Sequence, residues 1–333
     1  MLEHGGHLLD AAEKYNIAKE QWIDLSTGIN PNGWPIPDIP AECWQRLPES
    51  SDGLISAAKD YYQCQSILAV AGSQAAIQAL PLLRQKSKVG VLAPAYAEHA
   101  YSWEKSGHEV IELLEQNIDS QLAELDVLIL INPNNPSAQH FSKAQLLSWH
   151  QQLNQHNGWL IVDEAFIDSK PEQSLSSHPV TDGLIILRSI GKFFGLAGIR
   201  CGFVIAADKI LNELNELLGP WTVSHPSRYI ATAALLDKEW QKKTQIEIIQ
   251  QASRLALLLN NMRLITTAQT DLFVWIKTVE AVQIHQALAE RGLLTRLFTQ
   301  PLSLRFGLPK NEPEWEYLEQ ILSELPQYQN TFR

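Results

Sequence analysis

The feature that most constrains this chain is an alternation between residues 65 and 208. Short runs that are apolar at every position, Ile67–Val70, Val89–Ala93, Val127–Ile131, Trp159–Val162, Leu184–Leu187 and Phe203–Ala206, recur along it. Between many of them lie longer mixed segments, such as Ser73–Arg84 and Lys143–Asn154. A strand without a polar side has no face to show to water, so such strands belong to a sheet covered on both faces. Their alternation with helix-length segments gives an α/β fold, a mainly parallel sheet sandwiched by helices. The opening residues differ in texture and run into the turn-rich stretch Ser26–Gly33. Beyond residue 207 come a long polar–apolar helical region, Lys238–Asn261, a strand candidate at Leu272–Lys277, a helix about Val282–Arg291 and a short strand at Leu302–Phe306. The expected organisation is an N-terminal segment over 1–40, a large domain over 41–207 and a smaller α+β domain over 208–333.

Composition narrows the partners. The 333 residues carry a net charge of −11, which opposes any general affinity for nucleic acid or an anionic membrane. An anionic ligand therefore needs a local cluster of donors. Cys43, Cys64 and Cys201 are odd in number and widely spaced, which suggests neither a disulfide framework nor a metal site. The opening Met1–Ile17 has no basic n-region and no apolar h-region, and no segment is apolar for the length of a membrane span. The reading is a cytoplasmic protein.

In open parallel sheets, ligands bind outside the carboxyl ends of the strands. Here the reactive residue types gather at such ends. Gly72, Ser73 and Gln74 follow one run, Pro94 to Tyr96 the next, and Asn132 to Pro136 the third. Asp163 ends a fourth, and Ser189 and Lys192 follow a fifth. Five coincidences point to one crevice for a polar, phosphorylated, aromatic ligand. Gly72 permits close backbone approach where a helix opens, and the first amides of that helix suit a phosphate; Ser73 could equally be an ordinary helix cap. Asp163, set among apolar residues, needs a partner, whether a protonated ring nitrogen, an arginine or a helix end. Lys192 sits between Gly191 and Phe193, and partial burial would make its amine a usable nucleophile. Arg200 can grip a phosphate with two parallel hydrogen bonds, and Ser189 can add a hydroxyl.

The spacing of Ser189, Lys192 and Arg200, with Asn135-Pro136 and with Asp163 through Phe166, resembles the fold-type I enzymes dependent on pyridoxal 5′-phosphate (PLP), the aspartate-aminotransferase superfamily. The resemblance implies a mainly parallel seven-stranded-type sheet. It also implies that Lys192 bonds the cofactor aldehyde and later moves protons at the substrate carbon. By the same resemblance Asp163 pairs with the pyridine nitrogen, Asn135 with the ring hydroxyl, and Tyr96 stacks on the ring. Gly72, Ser73, Gln74, Ser189 and Arg200 would hold the phosphate, and Arg305 the substrate carboxylate. Such enzymes are usually homodimers.

A narrower resemblance runs over most of the chain. His4-Gly5-Gly6, Trp22 to Pro31, Arg46 to Pro48, Ala71 to Gln78 and Pro94 to His99 are similar to threonine-phosphate decarboxylases of cobalamin biosynthesis. That implies a small phosphorylated amino-acid substrate, L-threonine O-3-phosphate, converted to (R)-1-amino-2-propanol O-2-phosphate and carbon dioxide. His4 and the backbone N–H groups of Gly5 and Gly6 would meet its phosphate. Gly28 would allow close approach, Asn30 and Asn135 would support the substrate, and Arg296 and Arg305, flanking a short turn, would supply two cations. An aminotransferase of the histidinol-phosphate type, acting on a phosphorylated amino acid or amino alcohol, is the alternative. A non-catalytic sensor domain would need a basic helix-turn-helix, which the residues ahead of the core lack. Three positions depart from the usual pattern: Ala138 for Gly, Phe166 for Tyr, and Leu47 for a Tyr that reaches the neighbouring subunit's cofactor.

Overall fold

The computed structural model describes residues 5–325. Its strands in chain order are β1 (Ile23–Asp24), β2 (Leu68–Val70), β3 (Lys88–Leu92), β4 (Glu109–Leu113), β5 (Val127–Ile131), β6 (Trp159–Asp163), β7 (Leu184–Ser189), β8 (Gly202–Ile205), β9 (Ala268–Thr270), β10 (Phe273–Lys277), β11 (Leu293–Leu294), β12 (Arg296–Thr299) and β13 (Leu302–Gly307). The chain divides into two compact units. One holds Gly33–Asn135 and Gln139–Gln245; the other holds the residues up to Asn32, Pro136–Ala138 and those from Ile246 onward.

The large unit is built on a seven-stranded sheet in the order β2-β8-β7-β6-β5-β3-β4. Strands β3 to β7 pair in parallel, while β8 runs antiparallel to both β7 and β2. The central strand β5 is buried at every position, as its unbroken apolar composition requires, and so is β7, whose apolar run ends in Arg188 and Ser189. Edge strand β4 has no such run, because Glu109 and Glu112 are exposed; that is why its sequence does not announce a strand. One core layer joins Ile77 and Leu80 to Val89, Ile129, Ile185 and Val204, and takes in Ile210, Leu211 and Leu214 of the helix Asp208–Leu218. The helices Asp208–Leu218 and His225–Leu236, which follow the last strand of the sheet, fall in the same compact unit, which runs to Gln245.

The small unit carries a four-stranded antiparallel sheet in the order β12-β13-β10-β9. Its N-terminal part is tied in by a short parallel ladder, Ile23 opposite Leu293 and Asp24 opposite Leu294. Ala11 and Trp22 pack there with Ala289 and Leu294. The N-terminal segment and the C-terminal elements therefore share one apolar cluster. Among the described residues, no helix is long and apolar enough to cross a membrane, and no group of three or more His, Cys, Asp and Glu is gathered for a metal ion.

Candidate active site

In the large unit, topology brings three distant segments to one corner. Because β8 runs opposite to its neighbours, its first residue, Gly202, pairs with both Val70 and Ser189, the last residues of β2 and β7. Gly72, at φ +71°, then lies against Arg200: a Cβ there would stand 2.5 Å from Nη2. A Cβ on Gly202 would stand 2.7 Å from the amide nitrogen of Ser73. Ser73 and Gln74 open the helix Ser73–Ala79, where the first amides have no intrahelical acceptor. The Ser189 hydroxyl is nearby in sequence to Lys192 and accepts from the Gly191 amide at 3.2 Å. A guanidinium, amides and a hydroxyl at one sheet edge form a donor set suited to a phosphate. The Gln74 side chain is engaged within the protein. Its Oε1 accepts from the Tyr96 hydroxyl at 3.2 Å and its Nε2 donates to Glu98 at 2.8 Å. What Gln74 offers an anion is its backbone N–H.

Asp163 closes β6, 3% exposed. Its Oδ1 accepts from the Ala165 amide at 3.0 Å, and its Oδ2 lies 3.0 Å from Nε2 of His99, itself buried. Sequence reasoning did not single out His99. The available signal was position: it lies three residues after Tyr96, about one helical turn. The two rings meet edge to face with centroids 6.4 Å apart. Burial first, and then the charges of Glu98 and Asp163, push the Tyr96 phenol up to about 12, so it remains a neutral donor at physiological pH.

Asn132 to Asn135 form the loop after β5. The Asn132 amide donates to the Asp163 carbonyl at 2.8 Å, and Asn134 Nδ2 donates to the Pro94 carbonyl at 2.8 Å. The loop that carries Asn135 is thus fastened to the strand ends bearing Asp163 and Tyr96. Lys192 Nζ stands 5.4 Å from the centre of the buried Phe166 ring. Beneath these residues lies a second, wholly internal cluster. Arg188 donates to Glu164 and to Asp168, both at 2.7 Å, and Tyr61 donates to Asp168 at 3.0 Å. Arg188 and Glu164 directly neighbour Ser189 and Asp163 in the chain, so this cluster braces two strand ends at once.

In the small unit, Arg296 and Arg305 do not merely flank a turn. They are direct cross-strand partners on β12 and β13. Arg305 is 6% exposed, stands 5.1 Å over the Phe273 ring and donates to the Ser26 carbonyl at 2.6 Å. Burial first, and then the Arg296 charge, lower the Arg305 guanidinium to about 10, still charged at neutral pH. Arg296, half-buried, thus lies opposite the buried Arg305. Gly5 and Ser26 are in contact, since a Cβ on Gly5 would fall 2.5 Å from the Ser26 carbonyl oxygen. The Gly6 amide donates to Ser26 Oγ at 2.8 Å, so it is committed to Ser26 rather than presented to a ligand. Gly28 and Asn30 are buried, and Asn30 Oδ1 accepts from the Asn32 amide at 2.9 Å. His4 lies outside the described residues.

The chain is 48% identical over 322 residues to a threonine-phosphate decarboxylase of Pseudomonas aeruginosa, covering 97% of each chain. It is 38% identical to one from Sinorhizobium sp, covering 92% of each. Its fold is shared with a solved histidinol-phosphate aminotransferase from Sinorhizobium meliloti in complex with pyridoxal-5′-phosphate, at a TM-score of 0.84, 17% identity and coverage of 98% of this chain and 96% of that one. The family described as aminotransferase class I and II matches residues 48–319, and the chain belongs to that family.

Proposed function

We propose that this protein is a PLP-dependent decarboxylase that converts L-threonine O-3-phosphate to (R)-1-amino-2-propanol O-2-phosphate and carbon dioxide, a step of cobalamin biosynthesis in the cytoplasm. The residues of the large unit fit the cofactor. The cradle at Gly72 is one that a side chain would fill, and it sets Arg200 beside the first helix amides with Ser189 at the same sheet edge. These groups would hold the cofactor phosphate, with Asp163 at the ring nitrogen, Asn135 at the ring hydroxyl, Tyr96 on the ring face and Lys192 at the aldehyde. When bound, PLP supplies an aldehyde for the substrate amine and a ring that accepts the electron pair left by departing carbon dioxide.

The chain's own residues do the rest. Arg305 and Arg296 bind the carboxylate and phosphate, with His4, Gly5, Gly28 and Asn30 completing the substrate contacts. Fixing both anionic ends selects which bond at the α-carbon is set to break, so binding energy becomes orientation. The Lys192 amine returns a proton to that carbon after the carboxylate has left. His99 holds the Asp163 carboxylate in place.

The observation that carries this reading is the cross-strand pair of the buried Arg305 and the half-buried Arg296, two cations suited to a substrate with two anionic groups. The names of the two relatives supply the substrate. The shared fold with a histidinol-phosphate aminotransferase favours a second reading, amino transfer from a phosphorylated amino acid or amino alcohol. Threonine phosphate labelled at its carboxyl carbon separates the two. Decarboxylation releases the label as carbon dioxide, one per substrate consumed, with no 2-oxo acid required. Label retained in the product, with the amino group moved to an added 2-oxo acid, would establish the second reading.

The chain would work as a homodimer. Trp44 and Leu47 are more than 60% exposed, and the helix Glu42–Gln45 packs against the helix His225–Leu236, which exposes Tyr229. The Arg46 carbonyl between them lies 3.3 Å from the His225 ring, so the segment that carries these exposed apolar side chains lies against the start of that helix. A patch of large apolar groups on one face is the mark of an association surface.

A further inference from the structure

Ser26 belongs to no part of the chemistry described above, yet it touches both anion-binding pieces of the small unit. It is 2% exposed. Its hydroxyl accepts from the Gly6 amide at 2.8 Å, and its carbonyl accepts from Arg305 Nη2 at 2.6 Å. Asp24 fixes the residue itself, because one carboxylate oxygen accepts both the Ser26 amide at 2.9 Å and the Ser26 hydroxyl at 2.6 Å. The flanking backbone is anchored as well: Leu25 donates to the Leu294 carbonyl at 2.8 Å and accepts from the Gly307 amide at 2.7 Å. Ser26 therefore sits on a rigid mount with two hands, one on the N-terminal glycines and one on the arginine.

We infer that Ser26 is a positioning residue which couples the Gly5-Gly6 arm to Arg305, so that the arm's grip on phosphate and the arginine's grip on carboxylate are set relative to each other by one amino acid. This rests on the proposed substrate and deepens it. A substrate anionic at both ends gains from a fixed spacing between its two grips, whereas a singly anionic one does not. The hydroxyl and the carbonyl carry separate halves of the coupling. The carbonyl is also the group that a side chain at position 5 would strike, at 2.5 Å. Gly5 is thus required by close approach to the same residue that aims Arg305.

Two substitutions separate the halves. Ser26→Ala removes the hold on Gly6 and keeps the carbonyl; Gly5→Ala pushes on the carbonyl. Binding of inorganic phosphate and of propionate to the PLP-loaded protein is measured by titration calorimetry, alongside kcat and KM for threonine phosphate. Ser26→Ala should weaken phosphate about 10-fold, leave propionate within about 2-fold, and raise KM about 10-fold with little change in kcat, as expected for one lost hydrogen bond that orders a binding segment. Ser26→Thr, which keeps the hydroxyl, should restore phosphate binding, and Gly5→Ala should weaken both anions. Ser26→Ala with wild-type phosphate affinity, or with both anions weakened alike and no rescue by Thr, would overturn the coupling. Failure of the decarboxylase reading shows instead in the wild type, as absence of carbon dioxide release, while the two anion affinities remain measurable.

Discussion

At the scale of single residues, sequence reveals the strand-end chemistry and hides its supports. Asp163 is legible because it follows one apolar run, and Ser189 and Lys192 because they follow another, a local signal. His99 supports Asp163 from 64 residues away, and only the pairing of strands β3, β5 and β6 brings them together. Ser26 is hidden for the same reason, since its partners lie at positions 6 and 305. Ala138 shows the converse case. Relatives often have Gly at that place, and the structure shows why: Ala138 adopts φ +54°. The left-handed region costs a residue with a Cβ roughly 1 kcal/mol, part of which a glycine returns through its freer unfolded state. Ala138→Gly should therefore raise stability by about 0.5 kcal/mol, read as a shift in the denaturant midpoint at constant slope; a lowered midpoint would remove this explanation.

At the scale of elements, the fully buried strands were readable and the half-exposed ones were not. Strand β4 has no apolar run, and β12 was hidden within what reads as a turn between two arginines. Periodicity marks a strand only where burial is uniform or strictly alternating, and an edge strand need be neither. The same blindness covers the internal cluster of Arg188, Glu164 and Asp168. A lone Arg in an apolar strand reads as an anomaly until its partners from the loop after β6 are placed. Arg188→Met would leave the buried carboxylates of Glu164 and Asp168 without the arginine that pairs with both, a loss of about 3–5 kcal/mol. Equilibrium unfolding measures this directly, and a loss under 1 kcal/mol would show that the cluster braces nothing.

At the scale of the whole molecule, the α/β architecture was legible in the alternation of apolar runs with helix-length segments, whereas nothing local shows that helices Asp208–Leu218 and His225–Leu236, which follow the last sheet strand, fall in the large unit. Its interior has one consequence for pH. Burial raises the phenols of Tyr61 and Tyr62 well above their usual value, and that of Tyr96 to about 12. In the unfolded chain they ionise near pH 10. A raised folded value means that the native state keeps its protons longer, so this stability is complete below about pH 10 and is lost as pH climbs toward the folded values. The denaturant midpoint should fall above about pH 10 as phenolate absorbance appears with unfolding; a midpoint constant through pH 11.5 would contradict the burial of these rings.

The proposed function rests on the amine of Lys192 as the group that bonds the cofactor. Borohydride reduction of the PLP-loaded protein, followed by peptide mapping, tests that role directly. The account predicts a single pyridoxyl-labelled peptide, modified at Lys192, and no stable label in Lys192→Ala. Label on another lysine, or none on the wild type, would contradict it.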